Sequence, residues 1–317
     1  MLRSMNSAIS GMQSFQTMLD VIGNNIANVN TVGFKAGRTD FADILSQTMS
    51  GGSTPTTTTP PGFGGTNPQQ VGLGVKIGAI QTMFTQGADQ TTGNSSDLAI
   101  QGSGLFVVSN NGGATDLYSR AGNFSLDSNN NLVLPNGYIA MGFDSSKPAP
   151  AAGSPATSQT SLTVMNLNTM LSNYATAHPV AGTTYSLASA PNLQIGPDGS
   201  VTVNVQAATT VAGVTTTTTS QVQLGTLAVA TVPNAGGLEK AGDSLYGVAN
   251  NSGVPSFQKA GDNGSGQLMV GALEMSNVDL TNEMANMLVA ENGYAANSHV
   301  IGADNTILNA LMNMKNS

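Results

Sequence analysis

The sequence contains no cysteine and no tryptophan, and only 5% of its residues are aromatic. Without cysteine, neither a disulfide framework nor a thiolate metal site can form. Charged residues make up 8% of the 317 residues, far below the roughly one quarter that is usual in globular proteins. The nine basic residues are scattered and the net charge is -8, which argues against a nucleic-acid groove. Little charge repulsion would oppose close packing of identical copies of such a chain.

Residues that carry catalysis or bind metals are equally scarce. His178 and His299 lie far apart in the sequence, and no serine elbow motif accompanies them. Residues 127–131 begin like a calcium loop, but Leu132 stands where glycine is needed and Tyr138 where the bidentate glutamate is needed. A β-turn is the simpler interpretation. The sequence therefore predicts no catalytic, cofactor or metal residue, and no enzyme.

Long apolar runs are also missing. No run reaches the roughly 20 residues of a membrane-spanning helix, and the first twenty residues lack the continuous apolar core of a cleavable signal peptide. We therefore expect no membrane insertion and no cleavable signal peptide, so that a secreted chain would leave the cell by another route.

An apolar stripe is present near each end of the chain. Along each stripe, apolar residues recur about every 3.5 residues on average, or twice in seven residues. This spacing is typical of a coiled-coil seam. Since Gly23 and the asparagines that follow are poor helix formers, the first helix should end between Asn24 and Asn30. Asp279 or Thr281 can cap the second helix. Two ordinary amphipathic core helices are the alternative interpretation. The predicted assembly interface consists of the seam residues Met5, Met12, Phe15, Leu19, Ile22, Ile26, Leu280, Met284, Met287, Tyr294, Ile301 and Leu308.

Short apolar segments separated by turns fill the middle of the chain and predict antiparallel β units of the sandwich or barrel type. Gly196–Gly199, between two such segments, is a strong hairpin signal. The predicted fold is α+β and multidomain, with terminal helices that form an antiparallel coiled-coil base and mainly antiparallel β domains between them. The predicted domains are a helical assembly domain at 1–35 and 277–317, an extended connector at 36–70, an inner β domain at 71–145 and 225–276, and a small outer β domain at 146–224.

A motif follows the first stripe and consists of Asn24, Asn25, Ala27, Asn28, Asn30, Thr31, Gly33, Phe34 and Lys35. It resembles the N-terminal signature of the flagellar rod and hook axial protein family. A glycine in it is expected to supply a turn-closing backbone angle. Residues 271–280 and 294–298 resemble the C-terminal signature of the same family.

The resemblance implies a structural subunit that polymerises with itself into a tube of the bacterial flagellum. Within the family, the extra sequence in the middle favours the hook, a flexible joint that transmits torque from rod to filament, and the distal rod is the alternative. Implied partners are rod, hook-cap and hook–filament junction proteins and the flagellar type III export apparatus, which would carry the chain out of the cell. A secreted β-rich adhesin or enzyme is a further alternative, but no β segment contains a cluster of acids, histidines or aromatics.

The segment from Phe41 to Leu45 resembles the short hydrophobic segment that the export gate reads in rod and hook substrates. Phe41 and Leu45 are four residues apart, so both would reach one face of a helix. An apolar pair of this kind can anchor in a groove of a partner. The alternative is that both side chains pack against neighbours in their own chain.

Overall fold

The computed structural model describes residues 2–55, 64–113, 116–144, 147–150, 156, 161–180, 183–187, 193–211 and 214–315. The chain forms two compact units. Unit 1 contains residues 1–27, 37–83 and 279–317, and unit 2 contains residues 28–36 and 84–278. The threonine- and proline-rich centre of the predicted connector, residues 56–63, lies outside the described residues.

The described residues form three α-helices: α1 (Leu2–Ala27), α2 (Leu167–Ala177) and α3 (Leu280–Lys315). The first helix ends inside the predicted interval. The third is capped as predicted, because the Asp279 carboxylate accepts hydrogen bonds from the backbone N–H groups of Thr281 (2.9 Å) and Asn282 (3.3 Å). The second helix was not predicted. It is capped by Asn166, whose side chain accepts a hydrogen bond from the N–H of Thr169.

Unit 1 consists of α1, α3 and two small antiparallel sheets. Strand β1 (Gly37–Asp43) pairs with β4 (Val75–Thr82), and β2 (Gln47–Ser50) pairs with β3 (Gln69–Val71). Part of the predicted extended connector at 36–70 is therefore hydrogen-bonded sheet. Helices α1 and α3 lie antiparallel: Ser4 near the start of α1 donates to Asp304 Oδ2 (2.6 Å) near the end of α3, and Asn25 donates to Glu283 Oε1 (3.0 Å) at the opposite ends.

Unit 2 contains the remaining strands. They are β5 (Asp89–Thr91), β6 (Leu98–Gln101), β7 (Leu105–Ser109), β8 (Asp116–Ser119), β9 (Ser125–Leu126), β10 (Leu132–Val133), β11 (Ile139–Asp144), β12 (Thr163–Val164), β13 (Thr183–Leu187), β14 (Gln194–Ile195), β15 (Ser200–Val211), β16 (Val214–Leu227), β17 (Val229–Thr231), β18 (Glu239–Gly242), β19 (Leu245–Gly247), β20 (Ser256–Gln258), β21 (Gln267–Val270) and β22 (Ala272–Glu274).

The main sheet of unit 2 runs in the order β13-β15-β16-β11-β7-β8-β19-β18. Its strand pairs are antiparallel, as predicted for the β units. Strand β7 is buried on both faces, because Phe106 and Val108 lie in one apolar cluster while Leu105 and Val107 lie in another. The predicted hairpin is present between β14 and β15, with Gly199 at a φ of 81°. Strands β13 and β15, which lie in the predicted outer domain at 146–224, continue this sheet. The domain boundaries predicted from the sequence stay predictions.

Candidate functional site

The family-like motif ends in a buried lysine within unit 2. The Lys35 Nζ donates to Glu274 Oε1 (2.5 Å) and to the backbone oxygen of Thr85 (2.7 Å). Both ionised side chains are fully buried. Glu274 also accepts a hydrogen bond from Arg120 Nη1 at its Oε2 (3.0 Å) and one from the N–H of Gly87 at its Oε1 (2.9 Å). One carboxylate thus serves two cations and links the N-terminal motif to the C-terminal one.

The pKa values of the two cations in this cluster depend on burial and on the acidic side chains around them. Burial lowers the pKa of Lys35 and of Arg120, and the hydrogen bonds and charge of Glu274 oppose both shifts. Asp89 attracts both cations as well. Arg120 further donates to the backbone oxygen of Ile100 (2.9 Å). Since desolvation of buried charges is costly and is offset only by well-placed partners, loss of the shared carboxylate should be the most damaging change.

Two backbone features hold the motif against the rest of unit 2. Gly33 has a φ of 68°, as its predicted role requires, and its N–H donates to the backbone oxygen of Glu274 (2.8 Å). A Cβ at this position would lie 2.4 Å from the backbone nitrogen of Ala121, so only glycine fits. The N–H of Ala36 donates to Asn277 Oδ1 (2.8 Å). The end of the motif is therefore fixed to the C-terminal signature by backbone as well as by charge.

The aromatic residue of the motif contributes a cation–π contact. Phe34 is buried, and Lys240 Nζ lies 4.7 Å from the centroid of its ring. The same Nζ donates to the backbone oxygen of Lys35 (3.2 Å). Burial raises the pKa of Tyr246 to about 12, and a backbone hydrogen bond with Lys35 opposes this shift.

The earlier part of the motif lies in unit 1, where Asn25 acts as a clamp. Its Nδ2 donates to the backbone oxygen of Gly37 (2.8 Å), and its Oδ1 accepts from the N–H of the same residue (2.9 Å). The side-chain amide therefore pairs with the first residue of β1 as a neighbouring strand would. Its Nδ2 also contacts Glu283 Oε1 on α3 (3.0 Å), where burial raises the pKa of the glutamate.

The other motif residues are half-buried or exposed. The hydroxyl of Thr31 donates to Asn28 Oδ1 (3.1 Å), and both residues are half-buried. The remaining three, Asn24, Ala27 and Asn30, are exposed.

The contact between α1 and α3 uses small residues to bring the two helices close. A Cβ on Gly11 would lie 2.9 Å from Asn297 Nδ2, and one on Gly293 would lie 2.5 Å from the Phe15 ring. Gly293, which weakens a helix interior, is thus the residue that makes room for an aromatic side chain. Ala290 on α3 is fully buried.

The predicted assembly residues have very different exposures. Ile22 is buried, and Leu280, Met284 and Tyr294 are 40%, 48% and 40% exposed. The half-buried members are Met5, Met12, Phe15, Leu19, Ile26, Met287, Ile301 and Leu308. Helix α3 also exposes Met312, which falls at a seam position of the predicted stripe. It exposes further large apolar side chains that we did not assign from the sequence: Leu288, Val289, Val300, Ile307, Leu311 and Met314.

The segment predicted to dock at the export gate is not helical in the folded chain. Phe41 lies in β1, with its ring 5.8 Å from that of Phe15, and is 42% exposed. Leu45 follows the strand and is 85% exposed. The docking role itself stays a prediction.

Some functional residues escaped the sequence analysis. We did not assign roles to Arg120 and Glu274, although an isolated charge in or directly after a strand is a usable signal in a chain with only 8% charged residues. Asp127 behaves as a turn residue: its carboxylate accepts hydrogen bonds from the N–H groups of Asn129 (2.8 Å) and Asn131 (2.7 Å), which lowers its pKa.

In the described residues, no group of three or more acidic or histidine side chains could hold a metal ion. Within that same part of the chain, no helix has the length and apolar character needed to cross a membrane.

Comparison with known proteins adds independent evidence. A model of flagellar basal body rod proteins matches residues 5–35, a model of the flagellar hook protein FlgE/F/G D1 domain matches residues 99–203, and a model of the FlgEFG C-terminal part matches residues 269–314. These segments include both terminal motifs and Arg120.

Relatives of both the rod and the hook type match along the whole chain. The flagellar basal-body rod protein FlgG of Bacillus subtilis is 40% identical over 316 residues, which cover 99% of this chain and all of the relative. FlgG of Borreliella burgdorferi is 32% identical over 318 residues, or 99% of each chain. The flagellar hook protein FlgE of Treponema pallidum is 29% identical over an alignment of 469 residues that covers 99% of this chain and all of the relative. On the strength of these matches, this chain belongs to the flagellar rod and hook axial protein family.

Proposed function

We propose that this chain is a structural subunit of the axial tube of the bacterial flagellum and that it polymerises with copies of itself through α1 and α3. The observation that carries the proposal is the apolar surface of α3. Leu288 and Val289 are 60% and 62% exposed, although α1 packs against α3. Val300, Ile307 and Met314 recur every seven residues along one side of the helix and are 42%, 48% and 76% exposed. Large apolar side chains arranged along one helix mark an interaction surface.

Burial of this surface between copies would drive assembly, since removing apolar area from water is favourable. A head-to-tail contact repeated with a non-closing rotation produces an open helical filament. We further propose that α1 and α3 wind around each other as the predicted antiparallel coiled coil. The period of the seam residues and the antiparallel hydrogen bonds within unit 1 support this geometry.

Within the tube, we propose the distal rod as the position of this subunit. The lengths of the relatives support this choice. The two rod proteins align over 316 and 318 residues, close to the 317 of this chain, whereas the hook protein aligns over 469. This chain therefore lacks a large segment that the hook relative has. The hook, which we predicted from the sequence, remains the second candidate because the hook relative also matches both ends of the chain.

The proposal includes the partners and the export route that the family implies. Neighbouring rod proteins, the hook-cap and hook–filament junction proteins and the type III export apparatus are the proposed partners. Phe41 and Leu45 are the proposed docking pair for export, and their exposure in the folded chain is compatible with a role that precedes folding.

Polymerisation of the purified chain tests the assembly proposal. We expect Leu288→Asp to raise the critical concentration for tubes seen by electron microscopy by at least about tenfold, since a buried unpaired carboxylate costs several kcal/mol. The monomer should keep its circular dichroism spectrum, because Leu288 is exposed there. Ser172→Asp, at an exposed position of α2 away from this surface, adds the same charge as a matched control. Tubes of normal yield from the Leu288 variant would contradict the assignment of this surface.

Two cellular experiments test the finer points. Immunogold labelling of isolated hook–basal bodies should mark the rod, and label along the hook would instead support the second candidate. Secretion of a Phe41→Ala/Leu45→Ala variant should fall, while polymerisation of the same purified variant should change less. Normal secretion, or equal loss in both assays, would exclude the docking role.

A further inference from the structure

Strands β13, β15 and β16 form a three-stranded ribbon in unit 2. Segments of its two outer strands lie on either side of the same residues of β15. Residues 183–187 of β13 pair with residues 205–209 of β15. The same β15 residues pair on their other side with residues 216–220 of β16. The two outer segments therefore have equal length and lie opposite each other across β15.

Both outer segments present an open edge. Within the described part of the chain, no strand pairs with the outer side of β13, and the second side of β16 is paired only at residues 225–227, with β11. All of residues 216–220 are exposed, so neither face of this stretch is covered. An open edge carries unpaired backbone N–H and C=O groups that can accept another strand.

Neither edge has, among the described residues, the usual protection against such pairing. Sheet edges in soluble proteins are commonly blocked by lysine, proline, bulges or a covering segment. Residues 183–187 (Thr-Thr-Tyr-Ser-Leu) and 216–220 (Thr-Thr-Thr-Thr-Ser) contain no charged residue, proline or glycine. Threonine and tyrosine favour strands. The sequence of both edges therefore promotes strand addition.

We propose that the ribbon extends from one copy of this chain to the next, with residues 216–220 of β16 pairing against residues 183–187 of β13 in a second copy. A second copy fits because it offers an edge of matching length, level and neutral charge. Copies with the same polarity would form a parallel pair, since β13 and β16 both run antiparallel to β15. The contact is head-to-tail and can repeat without closing. This inference rests on the proposed function, because it needs a polymer.

A charge-swap experiment on the full chain tests the pairing. Thr184 and Thr217 share one rung of the ribbon through Ala208, and both are exposed. In the proposed contact, Thr184 of one copy faces Thr217 of the next. Opposite charges across strands stabilise and like charges destabilise. We therefore expect Thr184→Lys/Thr217→Lys to have a critical concentration about tenfold higher than Thr184→Glu/Thr217→Lys at low salt, and this difference should shrink at high salt.

Controls separate this contact from a general effect of charge. The same Lys/Lys and Glu/Lys pairs at Ser172 and Thr176, exposed on α2, should show no such difference. Amide hydrogens at 183–187 and 216–220 should exchange more slowly in the wild-type polymer than in the monomer. Tubes with equal critical concentrations for the two edge variants, or unchanged amide exchange, would overturn the ribbon contact alone. A wild-type chain that forms no tubes would overturn the proposed function and the ribbon contact together.

Discussion

Replacement of the shared carboxylate is the sharpest test of the buried charge cluster. Glu274→Gln keeps the shape of the side chain but leaves Lys35 and Arg120 without the anion that both contact. Removal of one partner from a buried ion pair typically costs 3–5 kcal/mol. We expect the free energy of unfolding of unit 2 to fall by about that amount.

Lys35→Met should be much milder, for reasons that the structure makes specific. Glu274 would keep Arg120 at 3.0 Å and the N–H of Gly87 at 2.9 Å. The backbone oxygen of Thr85 would keep the hydrogen bond donated by the Asn277 side chain at 3.2 Å. No buried polar group is left without a partner by this change, so the expected cost is about 1 kcal/mol.

The double variant gives the decisive result. Lys35→Met/Glu274→Gln contains one uncompensated cation where Glu274→Gln contains two, so we expect the double variant to be more stable than the Glu274→Gln single variant. Contacting residues couple by about 0.5–3 kcal/mol in such cycles.

Urea unfolding followed by tyrosine fluorescence is a suitable assay, because the chain has no tryptophan and five of its six tyrosines lie in unit 2. Equal slopes for all variants would allow their free energies to be compared. A Glu274→Gln variant that loses less than about 1 kcal/mol, or a double variant less stable than it, would refute this account of the cluster.

Two further predictions concern other parts of the chain. Gly293→Ala should destabilise unit 1 by about 1–3 kcal/mol despite the higher helix propensity of alanine, because its Cβ would meet the Phe15 ring. Combination with Phe15→Leu should restore much of the loss in thermal unfolding, and a stabilising Gly293→Ala alone would contradict the packing. Asp116 is buried, and burial raises its pKa from 3.8 to about 6. Since the folded-state pKa is the higher one, stability should fall as pH rises from about 4 to 6. Asp116→Asn should therefore raise the urea midpoint at pH 7 and have no such effect near pH 4, and an equal effect at both pH values would argue against this titration.

The sequence alone determined the features that arise from local patterns. The apolar periods predicted α1 and α3, Asp279 predicted a helix cap, and residues 196–199 predicted a hairpin, because each depends on the geometry of a few consecutive residues. The motif residues were sufficient to identify the family. The sequence analysis missed helix α2, because a helix of 11 residues is short and has only a weak periodic pattern. Packing in unit 2 determines which of its residues are buried.

Tertiary structure decided which distant groups meet. Lys35 and Glu274 are 239 positions apart, and their pairing depends on the strands that surround them. Likewise, the fit of Phe15 at Gly293 requires the register of two helices, which the seam period leaves open. Tertiary packing also determined which apolar residues of α3 stay exposed. A periodic pattern predicts that a helix has an apolar side, but it does not predict which of those residues a partner helix covers. Contacts between distant segments depend on the whole chain, whereas propensities and turns depend on a few neighbours.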